Sequence, residues 1–165
     1  MTPVITIQPF TADHASMPFT CGVRRIDDYF AHEALIQKER LARLFIALDR
    51  ATRRTAPGFY PLHNMDIEAD VVPAPLGAKL RRNGQVGAVY IAMLAVASDY
   101  QGKGLGSLLL ANALKRIKRL GDDSGIWAVV LDALNDRAQE FYERHGFVPL
   151  IPSQRRLFLP LDTIP

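Results

Sequence analysis

The sequence predicts a single α/β domain, residues 1–165, built on a mixed central β-sheet flanked by helices. Three observations carry this expectation. The run Gln85–Val96, QVGAVYIAMLAV, is almost unbroken apolar sequence, as a strand covered on both faces requires. It leads through a glycine-rich turn, Gln101–Gly106, into a segment whose apolar residues recur at helical spacing. Strand-like and helix-like segments also alternate along the whole chain, with no internal repeat and no linker to divide it.

Alternation in Val4-Ile5-Thr6-Ile7 predicts an opening strand. Phe19–Gly22 reads as a turn before Ile26, Tyr29, Phe30 and Ala34, which are spaced as one face of a helix. Ala42–Asp49 is a second strand, Arg50–Pro57 a turn, and Gly58–Ile67 its hairpin partner. Pro73, Pro75 and Gly77 break the pattern, so residues 69–84 are expected to form a long loop before the central strand. The helix after the glycine turn is expected to run through Leu120, with Leu105, Leu108, Leu109, Leu114 and Ile117 on its apolar face and Gly121 as its stop. Ile126–Leu134 is another buried strand. Asn135 can cap a short helix that turns Ala138, Phe141 and Tyr142 inward, and Gly146 can close it in the left-handed conformation. Phe147–Leu161 is a last extended segment, giving the order β-α-β-β-β-α-β-α-β.

Apolar residues make up 48% of the 165 and charged residues 22%, which excludes a disordered, collagenous or low-complexity chain. No stretch approaches the roughly 20 apolar residues of a bilayer span, and the opening MTPVITIQPF lacks a charged n-region and an h-region, so a cytoplasmic address with no membrane partner is expected. Cys21 has no partner for an intramolecular disulfide, and His14, His32, His63 and His145 show no zinc-like spacing, so no metal is expected. Twenty Lys and Arg against seventeen Asp and Glu leave a net charge of only +3. The bases nevertheless cluster at Lys38/Arg40/Arg43, Arg50/Arg53/Arg54, Lys79/Arg81/Arg82 and Lys115/Arg116/Lys118/Arg119, which allows a polyanionic partner without requiring one.

The segment Gln101-Gly102-Lys103-Gly104-Leu105-Gly106-Ser107 joins a strand to a helix N-terminus, where unpaired N–H groups and the positive end of the dipole favour phosphate oxygens. Glycine lets backbone approach a ligand, and Lys103 adds charge. The segment matches neither G-x-G-x-x-G nor the P-loop, and taken alone it is also what a turn needed only for packing looks like.

With Leu94-Ala95-Val96 before it and a helix after it, Tyr100–Gly106 resembles the acetyl-CoA signature Q/R-x-x-G-x-G/A of the GNAT N-acetyltransferase superfamily, with Gln101, Gly104 and Gly106 at its fixed places. Asn135–Phe147, NDRAQEFYERHGF, resembles the second landmark of that superfamily, N-x-x-A-x-x-F-Y-x-x-x-G-F. Further upstream, Phe19-Thr20-Cys21-Gly22, Ile26-Asp27-Asp28-Tyr29-Phe30, Arg43–Ala47 and Gly58-Phe59-Tyr60-Pro61-Leu62 resemble F-x-C-G, L-D-x-Y-L, R-x-F-V-A and G-Y-Y-x-L of the GNAT branch that serves as toxins of type II toxin–antitoxin pairs. Phe59, Pro61 and Met93 depart from residues common in that branch.

The resemblance implies the GNAT fold and a translation-blocking acetyltransferase that acts on the α-amino group of aminoacyl-tRNA. It further implies acetyl-CoA as co-substrate, a ribbon-helix-helix antitoxin as partner, and a homodimer. It implies that Leu94, Ala95, Val96, Gln101–Ser107, Asn135 and Phe141 bind the coenzyme, that the Val96 N–H polarises the thioester carbonyl, and that the Tyr142 hydroxyl protonates the departing sulfur. Tyr60 either lines the acceptor pocket or packs in its strand. Arg81 and Arg82, with Arg53 and Arg54, are candidates for gripping an RNA backbone.

Acetyl transfer to an amine needs a neutral nucleophile, a donor for the developing oxyanion and a proton for the thiolate. With a tyrosine pKa of about 10 and a thiol pKa of about 8.5, full proton transfer is uphill by about 2 kcal/mol. The central strand offers no Glu, Asp or His as base, although Asp132 or a held water remains open. A lysine amine is neutral in fewer than about one molecule in a thousand at pH 7, and an α-amine in about one in ten. That contrast favours an α-amine. A small-molecule amine or a protein N-terminus is the alternative acceptor, and a non-catalytic acyl-CoA-binding regulatory module the alternative of another class.

Overall fold

The structure is a computed structural model that describes residues 3–165, apart from the side chains of Glu33, Ala34 and Ile36; the inward face expected of Ala34 lies outside the described residues. In chain order the elements are β1 (Ile5–Pro9), α1 (Arg24–Lys38), β2 (Arg43–Asp49), β3 (Gly58–Glu68), α2 (Leu76–Leu80), β4 (Gln85–Ile91), β5 (Ala95–Val96), α3 (Leu105–Asp123), β6 (Ala128–Asp132), α4 (Asp136–Arg144), β7 (Val148–Ile151) and β8 (Arg156–Pro160). They fall into two compact units, one of Met1–His63 with Met93–Ala113, the other of Asn64–Ala92 with Leu114–Pro165.

In the first unit β1, β2 and β3 form an antiparallel ladder, with Ile5 opposite Asp49 and Arg43 opposite Leu62, and β5 pairs antiparallel with β3. Four consecutive residues of β2, Leu44–Ala47, are buried, so this strand is covered on both faces. Leu44 and Ile46 join Phe10, Ile26, Phe30, Phe59 and Ala95 in one core. The Phe59 ring meets Phe19 edge-on at 5.0 Å and Phe30 at 5.1 Å. On the opposite face Phe45 stacks on Tyr60 at 5.2 Å.

In the second unit β4 and β6 are parallel, with Ala88 opposite Ala128, which demands a long crossover connection. β6 pairs antiparallel with β8, and β8 with β7. One core face holds Val86, Ala88, Ala128, Val130 and Phe158 against Ile67, Val72 and Leu150.

The expected order of elements holds, with five differences of detail. Residues 69–84 contain two 3-10 turns and α2 instead of a structureless loop, because Leu80 and Val72 have a core to pack against. The central run is broken after Ile91, and β5 resumes only at Ala95. Leu108 is 46% exposed, since the buried stripe of α3 is Leu105, Leu109, Leu110, Ala113 and Ile117. Gly121 lies inside α3, which runs on to Asp123; a side chain there would collide with Leu161, so close packing and not termination requires the glycine. The final segment is a hairpin of β7 and β8, turned at Arg155 with φ +53°.

Candidate active site

The break in the central run creates the geometry of the site. β5 runs beside β3 with Val96 opposite Gly58, and the Ala97 N–H donates to the Pro57 carbonyl at 2.8 Å. Backbone groups alternate sides along an antiparallel strand, so the Val96 N–H and C=O point away from β3. The Val96 carbonyl accordingly accepts from Gln101 Nε2 at 3.0 Å. A side-chain carbon on Gly58 would stand 2.6 Å from the Ala95 carbonyl oxygen and 2.9 Å from Leu109, so this strand approach admits only glycine.

After a 3-10 turn at Ser98–Tyr100, the chain reverses through Gly102 and Gly104, with φ of +74° and +82°, into α3. A side-chain carbon at either glycine would meet nothing within 4 Å, so here it is the backbone conformation that requires glycine. The Leu108 N–H reaches back to the Gly104 carbonyl at 3.2 Å, and the N–H groups of Leu105, Gly106 and Ser107 before it are the unpaired donors of a helix start. Beside them lies a cavity of about 410 Å³ lined by Pro3, Ile5, Tyr100, Lys103, Gly104, Leu105 and Leu108. Lys103 Nζ donates to the Asp99 carbonyl at 2.9 Å and lies 5.8 Å from the Tyr100 ring. The Tyr100 hydroxyl donates to buried Asp49 at 2.8 Å, pinning the turn to the end of β2. Burial first, and that carboxylate second, push the Tyr100 pKa up.

In the second unit, Asn135 Oδ1 accepts the Ala138 N–H at 2.9 Å and caps α4. Tyr142 on α4 is 8% exposed, with its ring 5.8 Å from Phe147 and 5.2 Å from half-buried Phe141. Burial pushes its pKa up to about 12. A second polar cluster joins β4, β6 and β8. Asp132 accepts from Arg156 Nε at 2.8 Å and Nη2 at 3.0 Å, and from the Tyr90 hydroxyl at 2.8 Å. Burial opposes the Asp132 charge, but the hydrogen bonds from Arg156 and Tyr90 and the guanidinium charge outweigh it and hold the carboxyl below its ordinary pKa. A carboxylate so engaged is a poor base.

Residues 50–147 match the acetyltransferase (GNAT) family. The chain belongs to that family. Its GNAT fold is accompanied by likeness to proteins over nearly its whole length. It is 31% identical over 160 residues to a probable toxin TacT from Sinorhizobium fredii, covering 92% of this chain and 87% of the relative. It is 32% identical over 131 residues to the tRNA-acetylating toxin of Mycobacterium tuberculosis, covering 78% and 75%. Among solved structures it is similar to AtaTR bound with acetyl-CoA, at 25% identity, 97% and 95% coverage and a TM-score of 0.79. An AtaT mutant bound to the C-terminus of the antitoxin AtaR matches at the same identity and coverage with a TM-score of 0.81.

Of the residues singled out in the GNAT motifs, Leu94, Ala95, Val96 and Gln101–Ser107 lie together in the first unit, and Asn135, Phe141 and Tyr142 lie on or at the start of α4 in the second. Arg81 and Arg82 are exposed in the 3-10 turn after α2. Tyr60 is fully buried, with its hydroxyl donating to Asn112 Oδ1 at 2.6 Å. The sequence reading passed over Asp49, Ser98, Tyr90 and Arg156, and named Asp132 only as a possible base. Asp27 stood in a motif, but its partners became visible only in three dimensions.

Proposed function

We propose that this chain transfers the acetyl group of acetyl-CoA to the α-amino group of aminoacyl-tRNA and so blocks translation, as the toxin of a type II toxin–antitoxin pair. The observation that carries the reading is the set of backbone donors at Val96 and from Gly102 to Ser107, in a chain whose likeness to a tRNA-acetylating toxin spans 78% of its length. The residues present fit the coenzyme: the glycine turn leaves open space where side chains would stand, and the adjoining cavity of about 410 Å³ carries Lys103 at its rim.

Acetyl-CoA supplies an activated acetyl thioester when bound. The N–H groups of Gly102–Ser107 would hold its diphosphate, assisted by Lys103, while the Gln101 N–H donates to the Ser98 carbonyl and Gln101 shapes the turn. Leu94 and Ala95, and Asn135 and Phe141 at α4, would contribute the remaining coenzyme contacts. The Val96 N–H would serve as donor for the acetyl oxygen. Tyr142 would hold a proton at Oη for the departing sulfur. Arg81 and Arg82, with Arg53 and Arg54, contact phosphates of the RNA. In this reading the chain works in the cytoplasm as a homodimer and is silenced by a ribbon-helix-helix antitoxin.

The test incubates the purified chain with acetyl-CoA and charged tRNA, releases the amino acid and analyses it by mass spectrometry. N-acetylated amino acid is the expected product. Acetylation confined to small amines or protein N-termini rejects the tRNA assignment, and coenzyme binding without any turnover rejects catalysis.

A further inference from the structure

A chain of hydrogen bonds joins the turn at Phe19–Gly22 to the segment that carries the backbone donors, and all of it lies within the first unit. Its anchor is Asp27, on the first turn of α1. One carboxylate oxygen accepts the Cys21 N–H at 2.9 Å and the other the Thr20 hydroxyl at 3.1 Å. The Thr20 carbonyl belongs to the same planar peptide as the Cys21 N–H and points the opposite way. It accepts the Ser98 N–H at 2.9 Å, with the Ser98 hydroxyl at 3.3 Å. The next carbonyl, that of Cys21, accepts Gln101 Nε2 at 3.0 Å, and the same nitrogen reaches the Val96 carbonyl at 3.0 Å. Gly22, with φ +88°, lets the turn close.

The physical consequence is directional. A carboxylate on one edge of a peptide polarises it and strengthens the bond that its carbonyl accepts on the other edge. The Asp27 charge is thereby transmitted to Ser98 directly, and to Gln101 and Val96 through the turn that it fixes. These three positions bracket the approach to the glycine turn.

We propose that Asp27 is a positioning residue for the coenzyme: through the Thr20–Cys21 peptide, Ser98 and Gln101 it holds the backbone donors at Val96 and from Gly102 to Gly104 in register. The inference rests on the acetyl-CoA reading of that segment. It also assigns Gln101 a side-chain role as the tie between turn and strand, in place of direct contact with the ligand.

The test measures acetyl-CoA binding by calorimetry, with separate KM values for acetyl-CoA and aminoacyl-tRNA, and amide hydrogen exchange at Gly102–Gly106. In Asp27→Ala, a charge-assisted path is lost, so coenzyme affinity falls about tenfold and exchange quickens, while the KM for aminoacyl-tRNA is unchanged. Asp27→Asn keeps one acceptor oxygen and recovers part of the affinity. Gln101→Ala cuts the same path at its far end, so the double variant binds no more weakly than the weaker-binding single. Unchanged coenzyme affinity in Asp27→Ala, additive losses in the double variant, or lowered melting temperature with no change in affinity each overturn the proposal. Should Asp27→Ala fail to fold, Asp27→Asn and Gln101→Ala, at an exposed side chain outside α1, carry the same comparison. Wild-type protein that binds no acetyl-CoA overturns the coenzyme reading itself, an outcome distinct from a wild type that binds and an Asp27 variant that binds equally well.

Discussion

Tyr142→Phe removes one oxygen atom and separates chemistry from packing. The ring lies against Phe147 and Phe141 and is 8% exposed, so the phenylalanine fills the same space. Removing a hydroxyl from such surroundings alters stability by about 1 kcal/mol or less. The catalytic effect expected from the proposed role is far larger. Burial places the phenol pKa at about 12. Against a thiol of about 8.5, complete proton transfer is then uphill by about 5 kcal/mol, more than the ordinary tyrosine value implies. In the proposed role Tyr142 would therefore act through a strong hydrogen bond or a late proton transfer, and it would stay loaded with its proton throughout the neutral and alkaline range in which an amine is nucleophilic. Loss of a positioned acid slows the chemical step by about 10²–10⁴-fold, equivalent to about 3–5 kcal/mol. The assay is single-turnover acetyl transfer onto charged tRNA by wild type and variant, with thermal melts of both. Activity within about threefold of wild type at equal stability refutes the assignment and returns Tyr142 to the core. An alkaline decline in the wild-type rate well below pH 11, traced to this residue, refutes the argument from burial.

Gly104→Ala places a side chain at φ +82° with open space around it, so the loss is confined to backbone strain of about 1 kcal/mol, and denaturant melts together with weakened acetyl-CoA binding check this. Gly58→Ala instead drives a methyl against the Ala95 carbonyl, 2.6 Å away; destabilisation of about 1–3 kcal/mol and displacement of β5 are expected, and a variant of wild-type stability contradicts the close approach. Tyr60→Phe leaves Asn112 without its donor and lowers stability by about 1 kcal/mol, with acetyl transfer per folded molecule unchanged; a selective rise in the KM for tRNA restores an acceptor role. The lowered pKa of Asp132 means that its pairing with Arg156 contributes stability that is fully present above the unfolded value of about 3.9 and is lost as pH falls through the folded value. Arg156→Ala is therefore expected to lose stability above that window and to converge with wild type below it, read from denaturation midpoints against pH.

Local patterns made most of the fold legible in the sequence. Alternation located β1, the cap at Asn135 and the glycine at 146 bounded α4, and buried strands announced themselves by composition. What was missed depends on contacts between distant segments. The apolar run from Gln85 to Val96 gives no sign that the chain breaks after Ile91, because Ala92, Met93 and Leu94 are as apolar as the strand around them. Gly121 looks like a helix stop until Leu161 is seen pressed against it. The site divided in the same manner. The glycine turn is a contiguous motif and could be read directly, whereas the bond from Tyr60 to Asn112 joins residues 52 apart and no local pattern announces it.

The acceptor chemistry follows from what the polar side chains are already doing. Asp132, the carboxylate at the end of β6 that stood open as a base, is engaged by two N–H donors of Arg156 and by the Tyr90 hydroxyl, and those bonds hold its pKa down. Taking a proton there would mean breaking an ion pair, so the group stabilises its own sheet. Asp49 is likewise engaged by Tyr100. A lysine side chain, neutral in fewer than about one molecule in a thousand at pH 7, would then find no base in Asp132 or Asp49, while an α-amine with a pKa of about 7.7–8.0 supplies its own reactive fraction. A rate that climbs with pH and levels off near the pKa of the α-amine, in wild type and in Asp132→Asn alike, is the kinetic signature of that economy. A second titration that disappears in Asp132→Asn would instead place a base on β6.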